Sequence, residues 1–254
     1  MGTRTEHPPG TFSWADLTTS DADAAKRFYG SLFDWDFEDN DIPGGGTYTM
    51  CKVGGELVCA IPPSTDMAPP RWNSYVTVTS ADDVAAKAKA LGATLIEEPF
   101  DVMDAGRLVL LQDPAGATLC LWQPGRTIGA GRVNEPGCLT WNELHVPDIG
   151  AAASFYGELF GWTTEAMQTG GGPEYHVIRN GERSNGGIMS TQPGEPPNWV
   201  PYFAVESLDG ALAAAADAGG ETLAGPITMP AGQIAVMRDP QGATFALWAG
   251  QLDD

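Results

Sequence analysis

The segment WADLTTSDADAAKRFYGSLFDW, Trp14 to Trp35, returns as WNELHVPDIGAAASFYGELFGW, Trp141 to Trp162. The offset, 141 less 14, is 127 residues, and it also pairs Tyr48 with Tyr175, Trp72 with Trp199, Tyr75 with Tyr202, Gly92 with Gly219 and Pro99 with Pro226. A single residue is lost before DPAGATLCLW, at Asp113, reappears as DPQGATFALW at Asp239, where the offset is 239 less 113, or 126. Self-similarity held in register over this length makes the chain two copies of one module. Each copy has elements enough for half a core, so these are not solenoid units. The boundaries follow: an N-terminal tail over 1–10, a first module over 11–124, a Gly- and Pro-rich linker over 125–137 and a second module over 138–254.

Within each copy the hydrophobic period alternates between two and 3.6. A first strand (Phe12 to Thr18; Cys138 to Val146) precedes Asp or Ser residues suited to capping. An amphipathic helix follows, carrying Phe28, Tyr29, Leu32 and Phe33, repeated as Phe155, Tyr156, Leu159 and Phe160. Strands are expected at Tyr48 to Val53 and Glu56 to Ile61, joined by a Gly-Gly turn, and at Trp72 to Val78. An Ala-rich helix from Ala81 to Leu91 ends at Gly92, and strands at Leu108 to Gln112 and Thr118 to Trp122 close the module around Asp113-Pro114-Ala115-Gly116. Each copy reads as βαβββ with part of the order split by the second helix, an α+β fold.

Composition narrows the partners. Thirteen Lys and Arg against 33 Asp and Glu give a formal net charge of -20. Such a surface repels phosphate backbones and anionic lipids, which argues against nucleic acid and membranes. No apolar run reaches the roughly 18 residues of a membrane span, and MGTRTEHPPG lacks the apolar stretch of a signal peptide, so a cytoplasmic protein is expected. Cys51, Cys59, Cys120 and Cys138 show no C-x-x-C spacing and sit in or near apolar runs, which predicts buried free thiols without disulfides or zinc.

The early strand followed by D-x-x-x-x-x-x-F-Y-x-x-L-F-x-W and the late D-P-x-G-x-x-x-x-L-W, each present twice in order, resemble the vicinal oxygen chelate superfamily of glyoxalases, bleomycin-resistance proteins and extradiol dioxygenases. The resemblance spans nearly the whole chain. It implies sheets that curl into an open, cup-shaped mixed β-barrel with flanking helices and a small-molecule cavity inside the cup. In metal-using relatives a His on a module's first strand and a carboxylate or His on its last strand hold the ion. The matching positions here are Trp14, Cys120, Trp141 and Ala246. Only Cys120 can ligate, so no metal and no other cofactor is expected.

Strand alternation places Trp14 and Asp16 on one face of the first strand, and Trp141, Glu143 and His145 on the same face of its repeat. With that face toward the cavity, Asp16, Glu143 and His145 become candidates for acid–base work, and Trp14 and Trp141 for ligand contact. The bland reading of the two carboxylates is structural: a group present in both copies serves fold symmetry. His145 and His176 stand where the first copy has Thr18 and Thr49, the asymmetry a single active site would produce. The strand EYHVIRN turns inward either Tyr175, Val177 and Arg179 or His176 and Ile178. Tyr48, Tyr175 and Cys120 are further candidates for the lining, with symmetrical packing as their alternative. His7 reads as inert tail. Gly44-Gly45-Gly46 and Gly170-Gly171-Gly172 lie outside any strand-to-helix turn and read as lid loops, not phosphate cradles.

Three functions fit. The first is a metal-independent enzyme of secondary metabolism, a lyase, cyclase or isomerase acting (for example by dehydration) on a carbonyl-bearing aromatic or polyketide-like compound. The second is a protein that sequesters a hydrophobic or antibiotic-like ligand. The third is a metal enzyme with displaced ligands among Glu143, His145 and His176. The expected partner is a hydrophobic or aromatic small molecule, bound by a monomer or weak homodimer.

Overall fold

The computed structural model describes residues 2–43, 45–167, 172–191 and 195–252. The first module runs β1 (Phe12–Thr18), α1 (Ala22–Phe33), β2 (Asp36–Asp41), β3 (Thr47–Val53), β4 (Glu56–Ile61), β5 (Arg71–Thr77), α2 (Ala81–Ala90), β6 (Thr94–Val102), β7 (Gly106–Gln112) and β8 (Thr118–Pro124). The second repeats it as β9 (Leu139–Val146), α3 (Ile149–Phe160), β10 (Thr163–Met167), β11 (Tyr175–Asn180), β12 (Arg183–Ser190), β13 (Asn198–Ala204), α4 (Leu208–Asp217), β14 (Glu221–Met229), β15 (Gly232–Arg238) and β16 (Thr244–Gly250). Each module is therefore a βαβββ unit used twice. The strands that the hydrophobic pattern misses are at the sheet edges. β2 is the acidic stretch DFEDND, and all nine residues of β14 are exposed, so neither has a buried face to produce alternation.

Helix starts follow local chemistry. Asp21 and Asp148 cap α1 and α3 by accepting from the backbone N–H groups of Ala24 and Ala151, and Ser80 and Ser207 do the same for α2 and α4. α3 stops at Gly161, in the left-handed region at φ 78°.

Each module forms its own eight-stranded sheet, in the orders β2-β3-β4-β1-β5-β8-β7-β6 and β10-β11-β12-β9-β13-β16-β15-β14. Residues from β3 and from β6, far apart in the first order, meet in one apolar cluster around Trp14, so the sheet curls into an open cup. There are two cups, one per module.

The helix sides of the sheets hold the main cores, and both cores are shared. One joins Phe12, Val76, the α2 alanines and Leu121 of the first module to Leu144, Phe155, Tyr156 and Trp199 of the second. The other joins Leu17, Phe28, Tyr29 and Ile61 to Phe203, Leu208, Phe245 and Leu247. Reciprocal hydrogen bonds stitch them. Tyr29 donates to Asp239 at 2.9 Å and Tyr156 to Asp113 at 2.8 Å, while Trp72 and Trp199 donate to those same tyrosines. Trp35 donates to the Gly137 carbonyl and Trp162 to that of Gly10. The aromatic and D-P-x-G motifs of the repeat are thus the joint between modules.

Candidate functional site

β1 sends Ala15 and Leu17 into the helix-side core, which leaves Trp14 and Asp16 facing the cup. β9 does the same: Leu144 and Val146 enter the core, and Trp141, Glu143 and His145 face the second cup. The antiparallel neighbour completes each floor. Trp14 lies opposite Tyr75 and Asp16 opposite Asn73, while Trp141 lies opposite Tyr202 and Glu143 opposite Val200.

In the first cup Asp16 is wholly enclosed. Asn73 Nδ2 donates to its Oδ1 at 2.7 Å and the Tyr75 hydroxyl to its Oδ2. Burial pushes this carboxyl above its ordinary value, against the lowering effect of Tyr75, Asn73 and Arg71. The cup is also filled. The linker returns across it, with Ala130 N donating to Ser13 O and Gly131 N to Leu57 O, and Ala130 and Val133 pack in the cluster of Trp14 and Trp122. His7 secures the strap through a 2.7 Å bond between Nε2 and the Ala130 carbonyl, and burial holds its pKa down. His7 is therefore a buried structural residue, and the segment 125–137 is packed in place. Cys120 lines this filled cup, its thiol raised well above the usual range by burial, and Tyr48 is half-buried beside it.

The second cup differs in occupancy and in polar groups. Trp141 and Trp248 are only half-buried, against 7% exposure for Trp14 and 8% for Trp122. Exposed Met167 pairs with Tyr175 at its edge, whereas an exposed apolar residue beside the floor is common to both cups, Ile227 against Ile234 here and Phe100 against Leu108 in the first. Val200 offers no donor where Asn73 stands in the first cup. His145 Nε2 instead meets Glu143 Oε1 at 2.8 Å, and the Tyr202 hydroxyl donates to the same oxygen at 2.8 Å. Tyr175 accepts from Trp141 Nε1 at 3.0 Å and lies close enough to Glu143 to feel the carboxylate's charge. Burial raises the pKa of the Tyr175 and Tyr202 phenols, so both stay protonated donors at neutral pH.

The bond from Trp141 to Tyr175 settles the face of β11: Tyr175 and Val177 turn inward. His176 alternates to the other side with Ile178, which is in the helix-side core, and pairs with Glu174 at 3.0 Å. The structure thus separates His176 from the acid–imidazole pair, a correction to its candidacy. Gly44, Gly170 and Gly171 of the expected lid loops lie outside the described residues. Sequence reasoning misses Tyr75 and Tyr202. Their shared offset is the available signal, since a polar aromatic kept opposite the Trp–acid strand in both copies has a partner to meet.

The metal positions of the resembled family do not fit an ion. Trp14, Trp141 and Ala246 have no ligating atom, and Cys120 is a buried, protonated thiol. Among the described residues no three His, Cys, Asp or Glu side chains group as metal ligands, so Glu143, His145 and His176 do not form a displaced site. Likewise no helix among these residues is long and apolar enough to cross a membrane.

The fold and these paired cups are those of a glyoxalase-like protein. A glyoxalase-like domain family matches residues 14–122, and the glyoxalase/bleomycin resistance protein/dioxygenase superfamily matches residues 139–247. The candidate glyoxylase CFP32 of Mycobacterium tuberculosis is 43% identical over 97% of both chains. The anthracycline biosynthesis protein DnrV of Streptomyces peucetius is 30% identical over 96% of this chain and 94% of its own. In structure the chain is similar to the 2,3-dioxygenase LapB from Pseudomonas sp. KL28, with a TM-score of 0.68 at 17% identity over 97% of this chain and 95% of that one. The Mn(II)-bound glyoxalase from Novosphingobium aromaticivorans gives 0.67 at 16% over 100% and 85%. The chain belongs to the vicinal oxygen chelate superfamily, as a member with two tandem modules.

Proposed function

We propose that the second cup is a metal-independent acid–base site acting on a planar, carbonyl-bearing aromatic or polyketide-like compound, with His145 as the proton carrier. One observation carries this reading: the 2.8 Å His145–Glu143 pair in an open cup whose equivalent in the first module is closed and has no imidazole. Glu143 Oε1 already meets Tyr202 and His145, so it orients the imidazole in preference to accepting a substrate proton. With Nε2–H toward Glu143, Nδ1 carries the lone pair. In a dehydration, His145 takes the proton from the carbon next to the carbonyl, the C–H pair becomes the new C=C, and the β-hydroxyl leaves. The imidazolium returns its proton to that hydroxyl, giving water and neutral His145.

Trp141, Trp248 and Ile234 supply flat apolar surface for such a ring system. The relatives named for anthracycline biosynthesis support the same ligand class. The test is a thermal-shift screen of carbonyl-bearing polycyclic aromatics, followed by turnover of those that bind. His145→Ala is expected to lose about a hundredfold or more in rate with near-parent affinity. Tight binding with no turnover of any compound would replace the enzyme by a sequestering protein.

A further inference from the structure

The two cups differ at one further position that the acid–base reading leaves unused. Gly187 lies directly beside Glu143 in the β12–β9 ladder, and Ala60 occupies the same place beside Asp16 in the first module. A methyl group at 187 would overlap the hydroxyl and Cζ of Tyr175. In the second cup that space holds the Tyr175 hydroxyl, which accepts from Trp141 and feels the charge of Glu143. In the first, the Ala60 methyl stands there, and Asp16 takes its donors from Asn73 and Tyr75.

The geometry points to Gly187 as the positioning residue of the site: the missing side chain seats the Tyr175 hydroxyl on the Trp141 indole and beside Glu143, where it limits how the carboxylate that orients His145 can turn. The inference rests on the reading of His145 and Glu143 as the working pair. A carboxylate held by Tyr202 and crowded by Tyr175 has one orientation for the imidazole to meet, so freeing it affects the reacting geometry more than ligand binding.

The primary test needs no substrate. In the full chain, Gly187→Ala is expected to shift the Trp141 indole 15N–1H resonance and speed its exchange with water, because Tyr175 loses its seat. Tyr175→Phe, which keeps the ring and removes only the hydroxyl, should do the same, and Ala60→Gly should leave that resonance alone. On a compound turned over, Gly187→Ala should lower kcat about tenfold with KM within about twofold, the effect of a misplaced orienting carboxylate. The double variant should be no slower than Tyr175→Phe alone. An unmoved Trp141 resonance in Gly187→Ala, or additive losses in the double variant, overturns the inference. A moved resonance in a protein whose His145→Ala variant keeps full turnover would instead retain the positioning and remove the acid–base role.

Discussion

The first cup has Trp14, Asp16, Tyr75 and Tyr48, and the second has Trp141, Glu143, Tyr202 and Tyr175 in the same places, yet one is packed shut and the other is open. The closure comes from the chain between the modules, whose Ala130 and Val133 lie on Trp14 under a strap held by His7. Larger side chains add to it at two places, where Leu110 and Cys120 stand in the positions that Val236 and Ala246 take in the repeat. The polar floors then diverge. Asp16 is satisfied by an amide and a phenol; Glu143 takes an imidazole in place of the amide. The first cup is thus filled by the chain's own linker, while the second leaves Trp141 and Trp248 half-buried.

The largest expected effect concerns what the cups share. Both cores draw on both modules, so residues 1–130 expressed alone should show no cooperative thermal melt. A soluble fragment that melts cooperatively as a monomer would break the account of shared cores.

Next come the paired tryptophans. Trp14→Ala should cost about 3 to 5 kcal/mol in chemical denaturation, as a large buried ring does. Trp141→Ala should cost clearly less and weaken ligand binding. Equal losses of stability would remove the distinction between a filled and an open cup.

The repeat at offset 127 makes the two modules, their helices and their first strands legible in the amino-acid sequence. It does not reveal the edge strands β2 and β14, whose exposed residues carry no periodic signal. Nor does it tell that the linker fills a cup, because Gly and Pro content is the same for a free linker and for a strap threading a tight space. The Trp–acid–His face follows from alternation alone. His176 needs the register of β11, and Tyr202 needs the β9–β13 pairing, both long-range facts.

A smaller effect separates the groups by pH. Burial holds Asp16, Asp113 and Asp239 above 3.8, so the folded chain binds their protons more tightly than the unfolded one. Stability should rise as pH falls through those folded values, the gain being complete below 3.8. His7 acts oppositely: burial keeps it below 6.5, so its neutral, strap-holding form is lost at a cost as pH drops beneath that value. Urea denaturation from pH 8 to 4 should show that His7→Gln, relative to the parent, removes a destabilising contribution on the acid side of 6.5. Parallel curves would mean the strap does not depend on neutral His7. The smallest effect is expected of His176→Ala, which should leave turnover within about twofold, since the residue faces away from the cup. A hundredfold loss would return it to the site.

The central claim, that chemistry belongs to the second cup, is tested most directly by exchanging the two matched carboxylates for their amides and measuring kcat and ligand affinity on one turned-over compound. Glu143→Gln is expected to lose about a hundredfold or more in kcat at near-parent affinity, with Asp16→Asn within about twofold of the parent in both once folding is verified. A large loss of kcat in Asp16→Asn, with Glu143→Gln unchanged, would contradict it.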